Sequence, residues 1–176
     1  MDESYEWSLP VEPHWRPITR FAVGGNQPQF VSAEQNPERI VCAYYMDDAL
    51  KKTYANIRFG IQAQGPPGKA HGGSTAAALD EMMGMAAWQA GLNVVAKELR
   101  VRYFKPTPLW QELRAVAWVE DVQDGREATV VSELQGADGT LYVRGSGTFI
   151  HISVDRFKEL VEQADAARAR LSSSEL

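Results

Sequence analysis

The chain has 176 residues, 44% hydrophobic and 23% charged, with 18 Lys and Arg against 23 Asp and Glu for a formal charge of −5. That is enough for one folded domain with a sizeable core, and the acidic balance argues against a nucleic-acid partner, which needs a dominant basic surface. A single cysteine, Cys42, permits no internal disulfide and no cysteine-built zinc site, the acidic start is unlike a signal peptide, and no apolar run approaches the ~20 residues of a membrane span. A cytoplasmic protein with no membrane partner is expected.

Residues 1–36 form an irregular arm in which Pro10, Pro13, Pro17 and Pro28 interrupt any period, while Trp7, Trp15 and Phe21 suggest that part of it adheres to the body. From Arg39 the texture changes to strands. Ile40, Cys42 and Tyr44 alternate with Val41, Ala43 and Tyr45, a run apolar on both faces in which Cys42 is plain core. Ile57, Phe59 and Ile61 then alternate with polar residues as a half-buried strand, and Gly65-Pro66-Pro67-Gly68 must be loop.

The segment from Gly73 to about Ala90 is a helix rich in Ala and Met, with Gly91 placed to close it. It is apolar or small almost all round, so it is expected to be buried, and Gly84 within it suggests that something packs closely there. Leu99, Val101 and Tyr103 begin a meander, Leu113 to Val119 continue it, and Asp124-Gly125 and Asp138-Gly139 are hairpin signals around the run 126–134. A last strand covers 141–152. The tail 155–171 puts Phe157, Leu160, Val161, Ala164 and Leu171 on one stripe, an amphipathic helix ahead of a frayed Ser172-Ser173-Ser174. The whole is an α+β layout, five to six antiparallel strands wrapping one helix. A single sheet leaves part of such a helix bare, so a second copy is the expected cover.

Chemistry concentrates in the stretch from Gly65 to Glu81. Its glycines are not a nucleotide-binding P-loop, since Lys69 is followed by Ala70 and His71 where a hydroxyl residue is required. Gly72 and Gly73 instead let a ligand approach the first-turn N–H groups of the helix, which suit an oxygen that gains negative charge. Asp80 and Glu81 lie on an otherwise apolar helix, where a carboxylate is costly unless paired or functional; periodicity does not choose between them. Gly72 and Asp80 are about 12 Å apart at ~1.5 Å per residue, too far to act on one reacting carbon, whose partners must lie ~3 Å away. Two antiparallel copies could combine them. His71 stands at the mouth of this site, either fixing the turn or touching substrate. His14 and His151 show no ligand spacing with it, so no metal site is expected, and Ser74 lacks the Gly-x-Ser-x-Gly elbow of serine hydrolases.

With Gly65-Pro66 leading to His71-Gly72-Gly73, Asp80 nine residues after the histidine, the strand exit Pro106-Thr107-Pro108 and the hairpin Asp124-Gly125-Arg126, the sequence resembles the hotdog-fold acyl-CoA thioesterases over about residues 40–152. The resemblance implies a hotdog domain at 37–153 between the arm and a C-terminal helix at 154–176, a homodimer or dimer of dimers, and hydrolysis of acyl-CoA without a cofactor. It implies Asp80 as nucleophile or general base, Gly72 N–H as oxyanion donor, His71 as a positioning group, and Gly73, Arg102, Lys105 and Arg126 as substrate-binding residues. The acyl group would lie beside Met82, Met83, Met85 and Trp88. Some relatives carry Thr or Ser where this chain has Ala96, and Asn where it has Gly65. The rival readings are a non-catalytic acyl-CoA sensor or interaction module and a hotdog hydratase or dehydratase.

Overall fold

The computed structural model describes residues 5–18, 30–31 and 36–173; Phe21 and Ser174 lie outside them. Two residues of the arm, Arg16–Pro17 (β1), pair with β2 (Ile40–Asp47), which hairpins into β3 (Lys52–Phe59). A 3-10 turn at Ile61–Ala63 and the Gly-Pro loop lead into α1 (Gly72–Gln89). Then come β4 (Val94–Tyr103), β5 (Glu112–Gln123), β6 (Glu127–Gly136), β7 (Leu141–His151) and α2 (Val154–Ser173). The strands make one antiparallel sheet in the order β1-β2-β3-β5-β6-β7-β4. Six long strands curl around α1, and the two-residue β1 adds a seventh that the sequence did not announce.

Alternation explains the curl. Ile40, Cys42 and Tyr44 of β2, Leu113, Ala115 and Ala117 of β5, and Ala128, Val130 and Leu134 of β6 all join one buried cluster with Leu79, Met82, Met83 and Ala86 of α1. A glycine in the sheet lets it approach the helix: a Cβ on Gly145 of β7 would lie 3.3 Å from Leu79 Cδ1. At the helix end Gly91 has φ +83°, its N–H donates to Trp88 C=O and that of Leu92 donates to Ala87 C=O. This is the Schellman stop that a glycine in this position predicts.

Two expectations need correction. The strand containing Ile57 stops at Phe59, and Ile61 falls in the 3-10 turn, 41% exposed, because Gly60 is drawn against the backbone of Pro37 and Glu38. The α2 stripe does not pack as a stripe: Phe157 meets Trp88 edge-on at 5.4 Å, while Leu160 and Leu171 are exposed. The strand β4 is a sheet edge, with Leu99 and Tyr103 at 38% and 50% exposure.

The arm is strapped to the outer face of β2, β3 and β5. Trp15 stacks on Tyr54 at 4.0 Å, buried Asn56 donates Nδ2–H to Leu9 C=O, and Arg114 donates to Pro10 C=O. Glu112 accepts from Ser8 N–H, Ser8 Oγ–H, Leu9 N–H and Tyr5 Oη–H.

Candidate active site

The helix start is built by the loop before it. His71, extended at ψ 140°, is the N-cap, and its Nδ1 accepts from Gly73 N–H at 2.9 Å. The Gly73 amide is thereby occupied, whereas Gly72 N–H has no hydrogen-bond partner among the described residues. Tyr103, on the helix-facing side of β4, donates its hydroxyl to Gly72 C=O at 2.7 Å. These groups open on a cavity of about 290 Å³ whose walls include Lys69, Gly72, Tyr103, Lys105 and Pro106. The alternation of Leu99, Val101 and Tyr103 was legible as a strand. That its last ring would reach the helix terminus was not.

Two turns along α1, Asp80 and Glu81 line a second cavity of about 440 Å³ with Gly84, Met85 and Trp88, facing Val94, Val95 and Ala96 of β4, Phe149 of β7 and Phe157 of α2. The two carboxylates differ in what they touch. Glu81 Oε1 accepts from the Tyr44 hydroxyl at 2.5 Å. Among the described residues no side chain hydrogen-bonds to Asp80. Burial, and after it the neighbouring Glu81 charge, push the Asp80 carboxyl above its ordinary value, the behaviour of a carboxylate whose ionised form nothing compensates. Tyr44, invisible as a site residue in the sequence because it reads as a core position, is what separates the pair.

Of the four side chains expected beside an acyl group, Met82 and Met83 are core at 1% and 0% exposure, while Met85 and Trp88 line the cavity. Gly84 also corrects an expectation: an added Cβ would meet nothing within 4 Å, so among the described residues no element packs closely against it.

The structure does not bring all the expected site residues together in one protomer. Because α1 is continuous from Gly72 through Asp80, the two groups stay about 12 Å apart along its axis. Lys105 borders the Gly72 cavity. Arg102, whose guanidinium lies 5.0 Å over the Phe104 ring, neighbours Tyr103 on the opposite face of β4. Arg126, in the β5–β6 turn, is at the other end, where its C=O accepts from His151 N–H. Among the described residues no group of three or more His, Cys, Asp or Glu could hold a metal ion, and no helix is long and apolar enough to cross a membrane.

An antiparallel sheet rolled around one buried helix defines a hotdog protein, here with a carboxylate midway along that helix and, among the described residues, an open amide at its start. The model of the Thioesterase superfamily matches residues 67–131, from the loop before α1 into β6. The acyl-coenzyme A thioesterase THEM4 of Rattus norvegicus is 30% identical over 115 residues, which are 65% of this chain and 49% of that protein. The chain thus spans about half the length of the curated relatives it matches. A solved thioesterase superfamily protein aligns with TM-score 0.62 and 30% identity, covering 69% of this chain and 62% of that one. A hypothetical thioesterase of Streptococcus pneumoniae, solved with coenzyme A, aligns with TM-score 0.55 and 16% identity over 58% of this chain and 79% of that one.

Proposed function

We propose that the protein is an acyl-CoA thioesterase whose site is shared between two copies, Asp80 of one and Gly72 of the other. The observation that carries this reading is the division of the machinery. One protomer holds an unpaired carboxylate in one cavity and an unpaired amide in another, each lacking what the other has. The edge strand β4 supplies a way to join them. It begins at the Asp80 cavity, with Val94 to Ala96, and ends at the Gly72 cavity, with Tyr103. Antiparallel pairing of β4 with its own copy satisfies the open edge and sets the Asp80 cavity of each chain beside the Gly72 cavity of the other. The same two-fold brings Lys105 of one chain toward Arg126 of its partner, two cations for CoA phosphates, with Arg102 on the flank.

In this site Gly72 N–H, reinforced by the helix dipole, binds the thioester oxygen as it gains negative charge. Asp80 takes the proton of an attacking water, whose oxygen ends in the acid, or itself attacks the carbonyl carbon to form an anhydride that water then opens; on either route CoA leaves as thiolate. The raised Asp80 value suits proton transfer and requires the site to lose activity on the acid side. His71 holds the donor turn through its cap on Gly73, and the reaction uses the chain's own groups and water, with no cofactor. The relatives named acyl-coenzyme A thioesterases, and the neighbour solved with coenzyme A, support the choice of substrate class.

Thiol release from a panel of acyl-CoAs tests the reading. Turnover by the wild type, falling by about 10²-fold or more in Asp80→Asn with the assembly unchanged in sedimentation, is expected. Tight binding of one acyl-CoA with no turnover of any would replace the enzyme by a sensor, and hydration of an enoyl-CoA would replace it by a hydratase. Single turnover in ¹⁸O-water, read by mass spectrometry of the α1 peptide and of the released acid, identifies direct attack when water opens the anhydride at its Asp80 carbonyl: Asp80 then takes the label, which the general-base route never gives it.

A further inference from the structure

We propose that Gly84 sets the acyl-chain specificity of the site: the space left by its missing side chain admits the apolar chain beside Asp80, and Phe157 of α2 closes the far wall. This rests on the thioesterase reading and goes beyond it.

The argument starts from an apparent cost. Glycine inside a helix is less stable than alanine by up to about 1 kcal/mol, and the usual compensation is close packing by a neighbouring element. Here an added Cβ would touch nothing within 4 Å. The glycine is therefore not required by the fold of this chain, and what it contributes is volume. That volume lies in the right place. Gly84 is four residues after Asp80, on the same helix face and about 6 Å further along the axis, in the same cavity.

Apart from Glu81, the rest of the lining is apolar and includes Phe30, Met85, Trp88, Ala96, Phe149 and Phe157. Its size, about 440 Å³, is within the range of about 300–1,000 Å³ that holds small organic ligands. A carboxylate at one end and a sleeve of methyl, thioether and aromatic groups beyond it fit a carbonyl followed by a hydrocarbon chain. Gly84 of α1 and Ala96 of β4 are the small residues of this lining. Phe157 reaches the cavity from a helix whose other large apolar residues, Leu160 and Leu171, are exposed. Its edge-on contact with Trp88 at 5.4 Å makes a wall of two rings across the channel.

Gly84→Ala, Gly84→Leu and Phe157→Ala test this, with kcat/KM for butyryl-CoA and dodecanoyl-CoA, thermal melting and sedimentation as readouts. Gly84→Ala is expected to raise the melting temperature, since a compatible Gly-to-Ala change in a helix stabilises. Gly84→Leu is expected to lower kcat/KM for dodecanoyl-CoA by about tenfold or more, the scale on which an apolar pocket discriminates by a few methylenes, with butyryl-CoA changed less than about threefold. Phe157→Ala is expected to shift the preference toward the longer chain. Calorimetric binding of the matching non-hydrolysable thioethers should follow the same order. Equal losses on both chain lengths in Gly84→Leu would overturn the proposal. So would dissociation of the assembly or a lowered melting temperature in Gly84→Ala, because the space would then belong to a second copy of α1. A wild type that neither binds nor cleaves any acyl-CoA defeats the functional reading itself, a result distinct from these.

Discussion

Replacing Gly72 by proline isolates a single backbone hydrogen. Gly72 is the first residue of α1, the position at which proline is best tolerated, because the N–H it lacks has no intrahelical partner there. The residue before it already fits: His71 is extended, with φ −63° and ψ 140°, as a residue preceding proline prefers. A Cβ at position 72 would lie 3.3 Å from Tyr103 Oη, the far end of a side chain that is half exposed and can yield. The change therefore removes the amide that has no partner in the structure and little else. Loss of one oxyanion donor costs about 10²- to 10³-fold in kcat, or about 2.7–4 kcal/mol of transition-state stabilisation.

The stronger form of the experiment mixes chains. Gly72→Pro and Asp80→Asn are each expected to be nearly inactive alone. In a heterodimer of the two, the intact Gly72 of one chain faces the intact Asp80 of the other, so one of its two sites is whole. After exchange of subunits at equal concentration, random pairing restores about a quarter of the wild-type rate by the symmetry of a two-fold interface. Thiol release before and after exchange reads this directly. Full activity of Gly72→Pro would refute the oxyanion assignment, and no recovery on mixing two stable, assembled variants would refute the shared site.

Other outcomes follow from the same contacts. His71→Ala should lose about 1 kcal/mol of stability in chemical denaturation through the missing N-cap, and His71→Asn should restore it; if Asn restores stability without rate, His71 also touches substrate. The acid limb of the pH–rate profile should lie above the ordinary carboxylate range, because burial and Glu81 raise Asp80, with the rate rising as pH increases through it. Ala96→Thr, which puts a hydroxyl donor into the Asp80 cavity, should move that limb to lower pH by favouring the ionised form. Asp80→Asn should leave the melting temperature at pH 7 unchanged or raised. A group raised in the fold stabilises fully only below its unfolded value, and that contribution is lost as pH rises through the folded one. In Glu112, burial acts upward, but hydrogen bonds from Ser8, Leu9 and Tyr5 prevail and hold the carboxyl below its ordinary value. Its contribution is present above the unfolded value and lost as pH falls through the folded one, so acid, like Glu112→Ala, should hasten proteolysis within residues 5–9.

The strands facing α1 were legible in the sequence because a period of two is enforced wherever one face is buried. The same alternation marked β4 as a strand but could not show that it is the edge of the sheet. Gly84 was misread for a related reason: a sequence shows that a side chain is missing, not whether anything fills the gap. That His71 could fix the turn by a hydrogen bond was readable, since that bond is local; that it would occupy the Gly73 amide, expected to meet substrate, was not. The choice between Asp80 and Glu81 was not, because it is made by Tyr44, thirty-seven positions before Glu81 and across the sheet.

The arm changes how this domain can be dissected. Composition draws a boundary near residue 36, yet the carbonyls of Leu9 and Pro10 are the acceptors for Asn56 and Arg114 on the sheet. A chain trimmed at that boundary leaves two donors on a face that the Trp15 ring had sheltered, and any such donor that stays buried costs about 1–3 kcal/mol. The hotdog barrel is therefore a poor minimal unit for this protein. Removing the arm asks for apolar residues at Asn56 and Arg114, whose donors it satisfies.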